Sequence, residues 1–295
     1  MNTEDQAPVL FEQRVGVDGA VIGIATLNAP RTLNGFSLAM AQLLGEQLQR
    51  WARDPAEKAF CAGGDLHGLY RSMCQYRQAG HSDITANSFA SEFFATEYRL
   101  DHAIHHYPKP LLCWGHGIVM GGGLGLMGGA SHRVVSERSR LAFPEISVGL
   151  FPDVGGTWLL QRVPGNAGLF LGLTGAQLGP SDAIHAGLAD VHIAEQQRDA
   201  VFQALQAQPW QADAQANRRA LGDLLQGFAS TAPAGPLQQH AALIDQLCKD
   251  DGLEAVVGRI LAIDSDDAWL QAAAKTLAHG APGSARLAYA LRQRV

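Results

Sequence analysis

The first thirty residues alternate between hydrophobic and polar positions around a short polar break. VLFEQRV at residues 9–15 and VIGIATL at residues 21–27 are the two apolar-rich runs, and the pair Asp18-Gly19 lies between them. An Asp-Gly pair between two such runs is typical of the tight turn of a β-hairpin. We therefore predict a hairpin over residues 9–27, with its turn at Asp18 and Gly19.

Two longer stretches carry apolar residues at helical spacing. Residues 37–51 (SLAMAQLLGEQLQRW) have this pattern, and Ser37 is a typical N-cap residue. Residues 88–106 form a second amphipathic stretch, which stops before Pro108, a residue that cannot continue a helix. The pattern predicts one helix in each stretch.

The centre of the chain is rich in glycine. LLCWGHGIVM at residues 111–120 has the composition of a strand, as does HRVVSE at residues 132–137, and GGGLGLMGGA at residues 121–130 joins them. So short a connection predicts a tight strand–helix–strand crossover, in which glycines allow close approach of the backbones.

The last third of the chain has a different pattern. From about residue 195, Ala, Gln and Leu recur at helical periods, with no repeat of fixed length. We therefore predict an α/β core over residues 1–194 and a helical C-terminal region over residues 195–295.

Composition and charge narrow the class of protein. The chain has 295 residues, of which 47% are hydrophobic, and a net charge of −6 from 22 basic and 28 acidic residues. A nucleic-acid partner usually requires a basic stripe, and the sequence has none. No apolar run is long enough to cross a bilayer, so we expect no membrane partner. The excess of acidic over basic residues favours a soluble metabolic protein.

Cysteine usage and the N-terminal sequence bear on the compartment. The four cysteines form no CxxC pair, so they indicate neither a disulfide framework nor a zinc motif; they are Cys61, Cys74, Cys113 and Cys248. The start MNTEDQAPVL is acidic and polar, unlike a signal or transit peptide. We predict a reducing, cytoplasmic location.

One glycine motif suggests a dinucleotide site. Gly123, Gly125 and Gly128 match the GxGxxG fingerprint after a predicted strand. The helix that would follow is short and itself glycine-rich, and Glu137 comes too early for a ribose contact. We interpret these glycines as positions of close backbone packing.

A histidine cluster suggests a metal site. His102, His105 and His106 have the i, i+3, i+4 spacing of ligands on one helix face. No further cluster of acids or cysteines completes the set, and histidines near a helix C-terminus are common for another reason, namely their contact with the last carbonyl groups. We expect no metal.

The stretch PEISVGLFPDVGG, residues 144–156, places Glu145 and Asp153 among apolar residues and glycines. A carboxylate in such surroundings lowers stability unless it is paired, although Asp153 could also cap the helix that follows. Two glycine turns, CAGGD at residues 61–65 and GHGIVMGGG at residues 115–123, could direct backbone N–H groups at an anionic oxygen. Taken singly each is an ordinary turn, but with the two carboxylates they predict a site that binds an electrophile.

Three motifs in this order resemble a known family. FCAGGDL, GIVMGGGLGL and FPEISVGLFPDVGGTWLLQRVPG are similar to the enoyl-CoA hydratase/isomerase (crotonase) superfamily, and GLFPDVGG in particular to its 3-hydroxyisobutyryl-CoA hydrolase branch. The likeness covers most of residues 15–195 and, more loosely, the helical tail. It implies an α/β fold, a crotonase-like spiral of ββα repeats followed by a helical C-terminal region.

The resemblance also implies how the substrate is held. The thioester carbonyl of an acyl-CoA would lie in an oxyanion hole formed by the backbone N–H groups of Gly64 and Gly122. Coenzyme A is then part of the substrate, and no separate cofactor is implied. The matching substrate and coenzyme A contacts are Leu33, Asn34, Ala62, Gly63, Asp65 and Gly121.

The carboxylates distinguish the branches of the superfamily. Typical hydratases carry a second glutamate at the position of Gly125, whereas the hydrolase branch pairs a glutamate with an aspartate eight residues later, as in Glu145 and Asp153. The resemblance therefore implies thioester hydrolysis, with 3-hydroxyisobutyryl-CoA from valine breakdown as the substrate. Glu145 either attacks the carbonyl to give a mixed anhydride or acts as a base on water, while Asp153 orients or protonates the partners. The sequence leaves both routes open.

Two alternatives remain: an isomerase that uses Glu145 as its single base, and a non-catalytic acyl-CoA-binding protein. The second draws on departures from the family pattern. Glu57 directly follows Ala56 where the family runs a core strand, so the first repeat is remodelled or the sequence skips residues. The sequence also stops at LAYALRQRV, where the hydrolase branch continues through further helices. Trimers are common in the superfamily, so a homo-oligomer is a further expectation.

Overall fold

Four ranges of the chain are described by the computed structural model, namely residues 7–56, 87–249, 251–292 and 294. The predicted turn at residues 61–65 lies outside these ranges. It holds the predicted oxyanion-hole residue Gly64 and the predicted substrate and coenzyme A contacts Ala62, Gly63 and Asp65. Glu57, where the sequence departs from the family pattern, also lies outside them.

The strands of the described chain form three small sheets. Their bounds are β1 (Val9–Val15), β2 (Val21–Leu27), β3 (Leu112–Gly115), β4 (Ile118–Met120), β5 (His132–Val135), β6 (Arg140–Ala142) and β7 (Val191–His192). Strands β1 and β2 pair in antiparallel fashion, β3, β5 and β7 form a parallel sheet in that order, and β4 pairs with β6 in parallel.

Helices make up most of the remaining structure. In the first two thirds of the chain they are α1 (Leu38–Arg53), α2 (Ser88–His105), α3 (Gly122–Gly129), α4 (Gly156–Leu160), α5 (Ala167–Thr174) and α6 (Pro180–His185). The last third holds α7 (Arg198–Ala207), α8 (Ala214–Gln226), α9 (Pro236–Gln239), α10 (Ala241–Leu247), α11 (Leu253–Leu261), α12 (Ala268–His279) and α13 (Pro282–Arg292). Short 3-10 helices lie at Pro30–Thr32, Pro144–Val148 and Glu195–Gln197. The predicted α/β core and helical C-terminal region are both present in this order.

The predicted N-terminal hairpin is confirmed. Val9 faces Leu27 across the pair, and Val15 faces Val21. At the turn, Gly19 has a φ of +81°, a conformation that glycine adopts without steric cost. The Asp18 carboxylate accepts a hydrogen bond from the backbone N–H of Ala20 at 3.0 Å, which closes the turn.

Both predicted amphipathic helices are confirmed as well. Helix α1 begins directly after Ser37, whose hydroxyl accepts a hydrogen bond from the backbone N–H of Met40 at 3.3 Å. Helix α2 ends at His105, before Pro108, and Asn87 caps its N-terminus through the backbone N–H of Ala90.

The prediction of one continuous strand over residues 111–120 is wrong. The chain forms β3 and β4 instead, and these belong to different sheets. Gly117 has a φ of +70°, which turns the backbone between them. The carbonyl oxygen of Gly117 then accepts a hydrogen bond from the N–H of Arg140 at 2.7 Å, at the start of β6.

The glycine-rich crossover is confirmed, and its glycines pack closely as predicted. Helix α3 follows β4 and precedes β5, with helix α2 lying across it. A Cβ atom on Gly125 would lie 2.9 Å from both carboxylate oxygens of Asp101, and one on Gly129 would lie 3.0 Å from the backbone nitrogen of His105. Since real Cβ atoms do not approach so closely, the glycines allow α2 to lie against α3.

Two C-terminal helices pack against the segment that carries Glu145. Helices α12 and α13 contact the 3-10 helix Pro144–Val148, and the backbone N–H of Ala281, which lies between these two helices, donates to the carbonyl oxygen of Ile146 at 3.0 Å. The boundary at residues 194 and 195 stays a prediction. Within residues 7–56, 87–249 and 251–292, no helix has both the length and the hydropathy needed to span a membrane.

Candidate active site

The ends of two paired strands bring the site together. Strands β4 and β6 are parallel, with Met120 beside Ala142, so the segments that follow them leave the sheet at the same edge. Gly121 follows β4 and Glu145 follows β6 within three residues. A Cβ atom on Gly121 would lie 3.7 Å from Oε1 of Glu145. The predicted oxyanion segment and the predicted catalytic glutamate are therefore neighbours.

Glu145 is buried without a side-chain partner. It lies in the first turn of the 3-10 helix Pro144–Val148 and is 4% exposed. Neither carboxylate oxygen forms a hydrogen bond with another described residue. Burial is the main cause that raises the pKa of Glu145 to about 8, and the nearby Asp153 and Glu97 act in the same direction. A carboxyl group with such a pKa can both take and give a proton near neutral pH.

Asp153 is held by a side chain from another part of the chain. The hydroxyl of Tyr98 in α2 donates a hydrogen bond of 2.7 Å to Oδ2 of Asp153. Burial raises the pKa of Asp153, and the hydrogen bond from Tyr98 opposes that shift. The alternative of a helix cap is wrong, because α4 has Gly155 at its N-cap and no capping side chain. Only the backbone carbonyl of Asp153 bonds to that helix, through the N–H of Gly156.

The residue after Asp153 has a strained backbone. Val154 has a φ of +42°, which β-branched side chains rarely adopt, and it is buried at 6% exposure. Such strain persists where the surrounding packing enforces it, and it is concentrated at functional sites. Between the buried Pro152 and the strained Val154, the backbone of Asp153 is tightly fixed.

The structure adds a third carboxyl group that the sequence interpretation missed. Glu97 in α2 is 4% exposed, and a side chain at Gly122 would overlap its carboxylate. Burial and the nearby Asp153 raise the pKa of Glu97 to about 8. A signal was available, because Glu97 lies within the apolar stripe of α2 that is formed by Phe93, Leu100 and Ile104.

Asp101, one helical turn after Glu97, is a fourth member of this cluster. Both of its carboxylate oxygens are buried, and no other described residue forms a hydrogen bond with them. Burial, together with Glu97 and Asp153, raises the pKa of Asp101 to about 9. The carboxylate lies against Gly125, the position at which hydratases carry their second glutamate.

A cavity of about 280 Å³ collects the predicted residues. Three carboxyl groups, Glu97, Glu145 and Asp153, lie in its otherwise apolar wall together with the two glycines Gly121 and Gly122. Its other lining residues are Thr32, Leu33, Phe36, Phe93, Phe94, Ile118, Met120, Pro144, Val148, Leu150 and Val154. Three of these lining residues are exposed apolar side chains: Leu33 at 69%, Ile118 at 50% and Val148 at 52% exposure.

The predicted binding residues fall into two groups. Leu33, Gly121 and Gly122 line the cavity, and Gly122 is the first residue of α3, where a backbone N–H has no partner within the helix. Asn34 instead stabilises its own loop, since its side-chain oxygen accepts a hydrogen bond from the backbone N–H of Ala29 at 2.7 Å. The substrate-binding roles of these residues stay predictions.

The three histidines at the end of α2 contact aromatic rings. The rings of His102 and His106 stack with centroids 4.2 Å apart, and His105 meets Trp158 edge-on at 5.6 Å. They line a second cavity of about 580 Å³, which shares only Asp153 and Val154 with the first. Asp153 therefore lies between the two cavities.

Comparison with known families gives the same assignment as the motifs. A family profile described as Enoyl-CoA hydratase/isomerase matches residues 22–295, which is most of the chain.

Curated relatives give a more specific likeness. The chain is 34% identical over 282 residues to 3-hydroxyisobutyryl-CoA hydrolase, mitochondrial, of Xenopus tropicalis, a match that covers 90% of this chain and 69% of that protein. It is 40% identical over 195 residues to the protein of the same name from Rattus norvegicus, covering 63% of this chain and 47% of the relative. For most of these relatives, the match spans about half of their length.

Solved structures share the fold over nearly the whole chain. A carnitinyl-CoA dehydratase from Mycobacterium thermoresistibile superposes with a TM-score of 0.78 at 28% identity, covering 99% of this chain and 81% of that one. An enoyl-CoA hydratase from Rhodobacter sphaeroides gives 0.77 at 32% identity, with coverages of 96% and 78%. The predicted crotonase-like fold is confirmed, and the chain belongs to the enoyl-CoA hydratase/isomerase family.

Proposed function

We propose that this protein hydrolyses a short acyl-CoA thioester and that its substrate is 3-hydroxyisobutyryl-CoA, as in valine breakdown. One observation carries the proposal: Glu145 and Asp153 reach the same apolar cavity, beside the N-terminus of α3. The relatives named 3-hydroxyisobutyryl-CoA hydrolase support the choice of substrate.

The expected reaction uses each of these groups. The thioester carbonyl oxygen would face the N–H of Gly122, which favours the negative charge that develops when a nucleophile adds to the carbonyl carbon. The nucleophile is Glu145 itself or a water from which Glu145 takes a proton. When the oxyanion collapses, the C–S bond breaks and the thiolate of coenzyme A leaves with the bonding electrons. If Glu145 is the nucleophile, water then cleaves the anhydride bond between Glu145 and the acyl group, which releases the acid and restores Glu145. In either route one water supplies the hydroxyl group of the acid and the proton that the thiolate takes up.

Glu97 supports an acyl group that carries a hydroxyl. A hydroxyl group buried in an apolar cavity requires a hydrogen-bond partner. The carboxyl group of Glu97 lies in the cavity wall near Gly122, within the same cavity as Glu145. In its protonated or ionised form it can pair with a hydroxyl group, which favours a 3-hydroxyacyl over a plain acyl chain.

The test is thiol release by the purified protein from 3-hydroxyisobutyryl-CoA, with crotonyl-CoA assayed in parallel. We expect release of coenzyme A from the first and neither hydration nor release from the second. Hydration of crotonyl-CoA without any thiol release would contradict the proposal.

An isomerase that uses Glu145 alone is the second candidate, favoured by the pKa of about 8 that suits a residue shuttling one proton. The variant Asp153→Asn separates the two. A hydrolase should lose most of its turnover, by roughly 100-fold or more, whereas an isomerase should tolerate the change. Asp223→Asn, at an exposed position in α8, is the matched control.

We also propose a reducing, cytoplasmic location and a homo-oligomer, for which a trimer is the expected form. Cys248 is a free, buried thiol, which supports the reducing compartment. Sedimentation of the purified protein would give the oligomeric state.

A further inference from the structure

Four carboxyl groups lie close together around the cavity. Glu97 and Asp101 come from α2, Glu145 from the 3-10 helix, and Asp153 from the loop before α4. The negative charge of Asp153 helps to raise the pKa of each of the other three, to about 8 for Glu97 and Glu145 and to about 9 for Asp101. Glu97 and Glu145 are buried and Asp101 and Asp153 are half-buried, so negative charges on all four would repel one another and favour retention of protons.

One hydrogen bond distinguishes Asp153 from the other three. Among the described residues, it is the only member of the cluster that accepts a hydrogen bond from another side chain, the 2.7 Å bond from Tyr98. A hydroxyl donor stabilises the ionised form of a carboxyl group and leaves its protonated form with a weaker interaction.

The hydroxyl of Tyr98 stays protonated and can donate this hydrogen bond. Burial first, and then the hydrogen bond to Asp153 and the neighbouring acids, raise the pKa of Tyr98 above its ordinary value. The hydroxyl therefore keeps its proton. The aromatic ring is fixed by its neighbour Phe94, whose centroid lies 5.7 Å away.

The backbone on both sides of Asp153 also limits the orientation of its carboxylate. The strained Val154 and the buried Pro152 restrict its main chain, and the hydrogen bond from Tyr98 restricts the rotation of its side chain. Oδ2 accepts the hydrogen bond from Tyr98, and Asp153 lines the same cavity as Glu145.

We propose that Tyr98 is a positioning residue that keeps Asp153 ionised and oriented within the four-carboxyl cluster. This inference rests on the proposed function, since it states how the charge is placed for thioester hydrolysis. Asp153 can then accept a hydrogen bond from the attacking group, while Glu145 acts as the nucleophile or as the base on water. In the described part of the chain, the other ionisable groups that face Asp153 or line its two cavities are Glu97, Asp101, His102, His105, His106 and Glu145.

The test is the pH dependence of thiol release by Tyr98→Phe. Loss of a hydrogen bond to a charged group should cut kcat by roughly 10- to 100-fold at neutral pH. It should also move the acid limb of the kcat profile upward by roughly one to two pH units, because Asp153 then takes up a proton more readily. KM should change much less than kcat, since Tyr98 does not line the substrate cavity.

The control is Tyr107→Phe, which removes a buried hydrogen bond of 3.0 Å to the carbonyl oxygen of Leu48, away from the cluster. It should lower the melting temperature without moving the pH profile. A Tyr98→Phe variant that loses activity with an unmoved acid limb would overturn the proposal, because that result indicates a structural role alone.

A double variant keeps the proposal testable if Tyr98→Phe is unstable. In an Asp153→Asn background, adding Tyr98→Phe should leave kcat unchanged within about twofold, because the carboxylate that Tyr98 orients is already gone. A further large drop would overturn the proposal. If the unmodified protein releases no thiol at any pH, it is the proposed function that fails, so the two failures can be told apart.

Discussion

Two segments supply the acids of this site in different ways. The segment 144–156 places Glu145 and Asp153 by local backbone geometry, through a proline-led 3-10 helix and a strained turn. Helix α2 supplies Glu97 and Asp101 from an ordinary amphipathic helix, which reaches the site only because the glycines of α3 let it come close. We propose that the first segment carries the reactive groups and that the second sets their charge and surroundings.

The strongest test of this comparison is Glu145→Gln. The amide keeps the volume of the side chain but can neither attack the thioester nor take a proton, so thiol release should fall by roughly 1,000-fold or more. The melting temperature should stay the same or rise, because a buried acid without a side-chain partner is removed. A variant that retains more than about a tenth of the activity would remove Glu145 from the reaction.

Glu97→Gln probes the second segment. We expect the loss to depend on the acyl group, with kcat/KM falling roughly 10- to 100-fold for 3-hydroxyisobutyryl-CoA and much less for isobutyryl-CoA. The reason is that only the hydroxyl-bearing substrate would use the carboxyl group in the cavity wall. Equal losses for both substrates would indicate that Glu97 acts on the thioester or on the fold rather than on the hydroxyl.

The sequence drew attention to the acids of the first segment, whose roles stay predictions, and for the second segment it predicted only the helix. Glu145 and Asp153 are visible because an acid is unusual in an apolar run, and the glycines beside them mark close approach. Glu97 has the same property, yet in an amphipathic helix its place on the buried face depends on the packing partner, which local periodicity does not specify. The split of residues 111–120 into β3 and β4 was missed for a related reason, because the composition of a strand does not reveal the positive φ of Gly117.

Substitution of the α3 glycines tests the contact that brings the two segments together. Gly125→Ala should lower the free energy of unfolding by about 1–3 kcal/mol, because its Cβ would lie 2.7 Å from Cβ of Val154 and 2.9 Å from the oxygens of Asp101. Gly45→Ala in α1 is the matched control. Its Cβ would meet nothing within 4 Å, so it should stabilise the protein by about 0.5–1 kcal/mol. Chemical denaturation measures both, and the comparison fails if the two variants change stability in the same direction.

The smallest expected effect is the pH dependence caused by Asp101. Its pKa is raised from 3.8 to about 9 in the folded protein, so between these values the folded state holds a proton that the unfolded state has released. Stability from this group is therefore fully present below about pH 4 and is lost progressively until about pH 9. Asp101→Asn lacks the titration, so it should match the unmodified protein at pH 4 and melt at least about 3 °C higher at pH 9.

The exposed position Asp223 gives the control for that measurement. Asp223→Asn should shift the melting temperature little, and by the same amount across the pH range. If the gain in melting temperature from Asp101→Asn were largest at pH 4, the pH dependence would be opposite to the one expected for a buried neutral acid. It would mean that Asp101 is ionised in the folded protein and paired with a cation, and the charge of the cluster would then have to be assigned differently. If instead the gain in melting temperature grows with pH as expected, burial keeps the acid that helix α2 contributes in its protonated form. The proposed ionised Asp153, in the segment that α2 covers, is then the contrasting case.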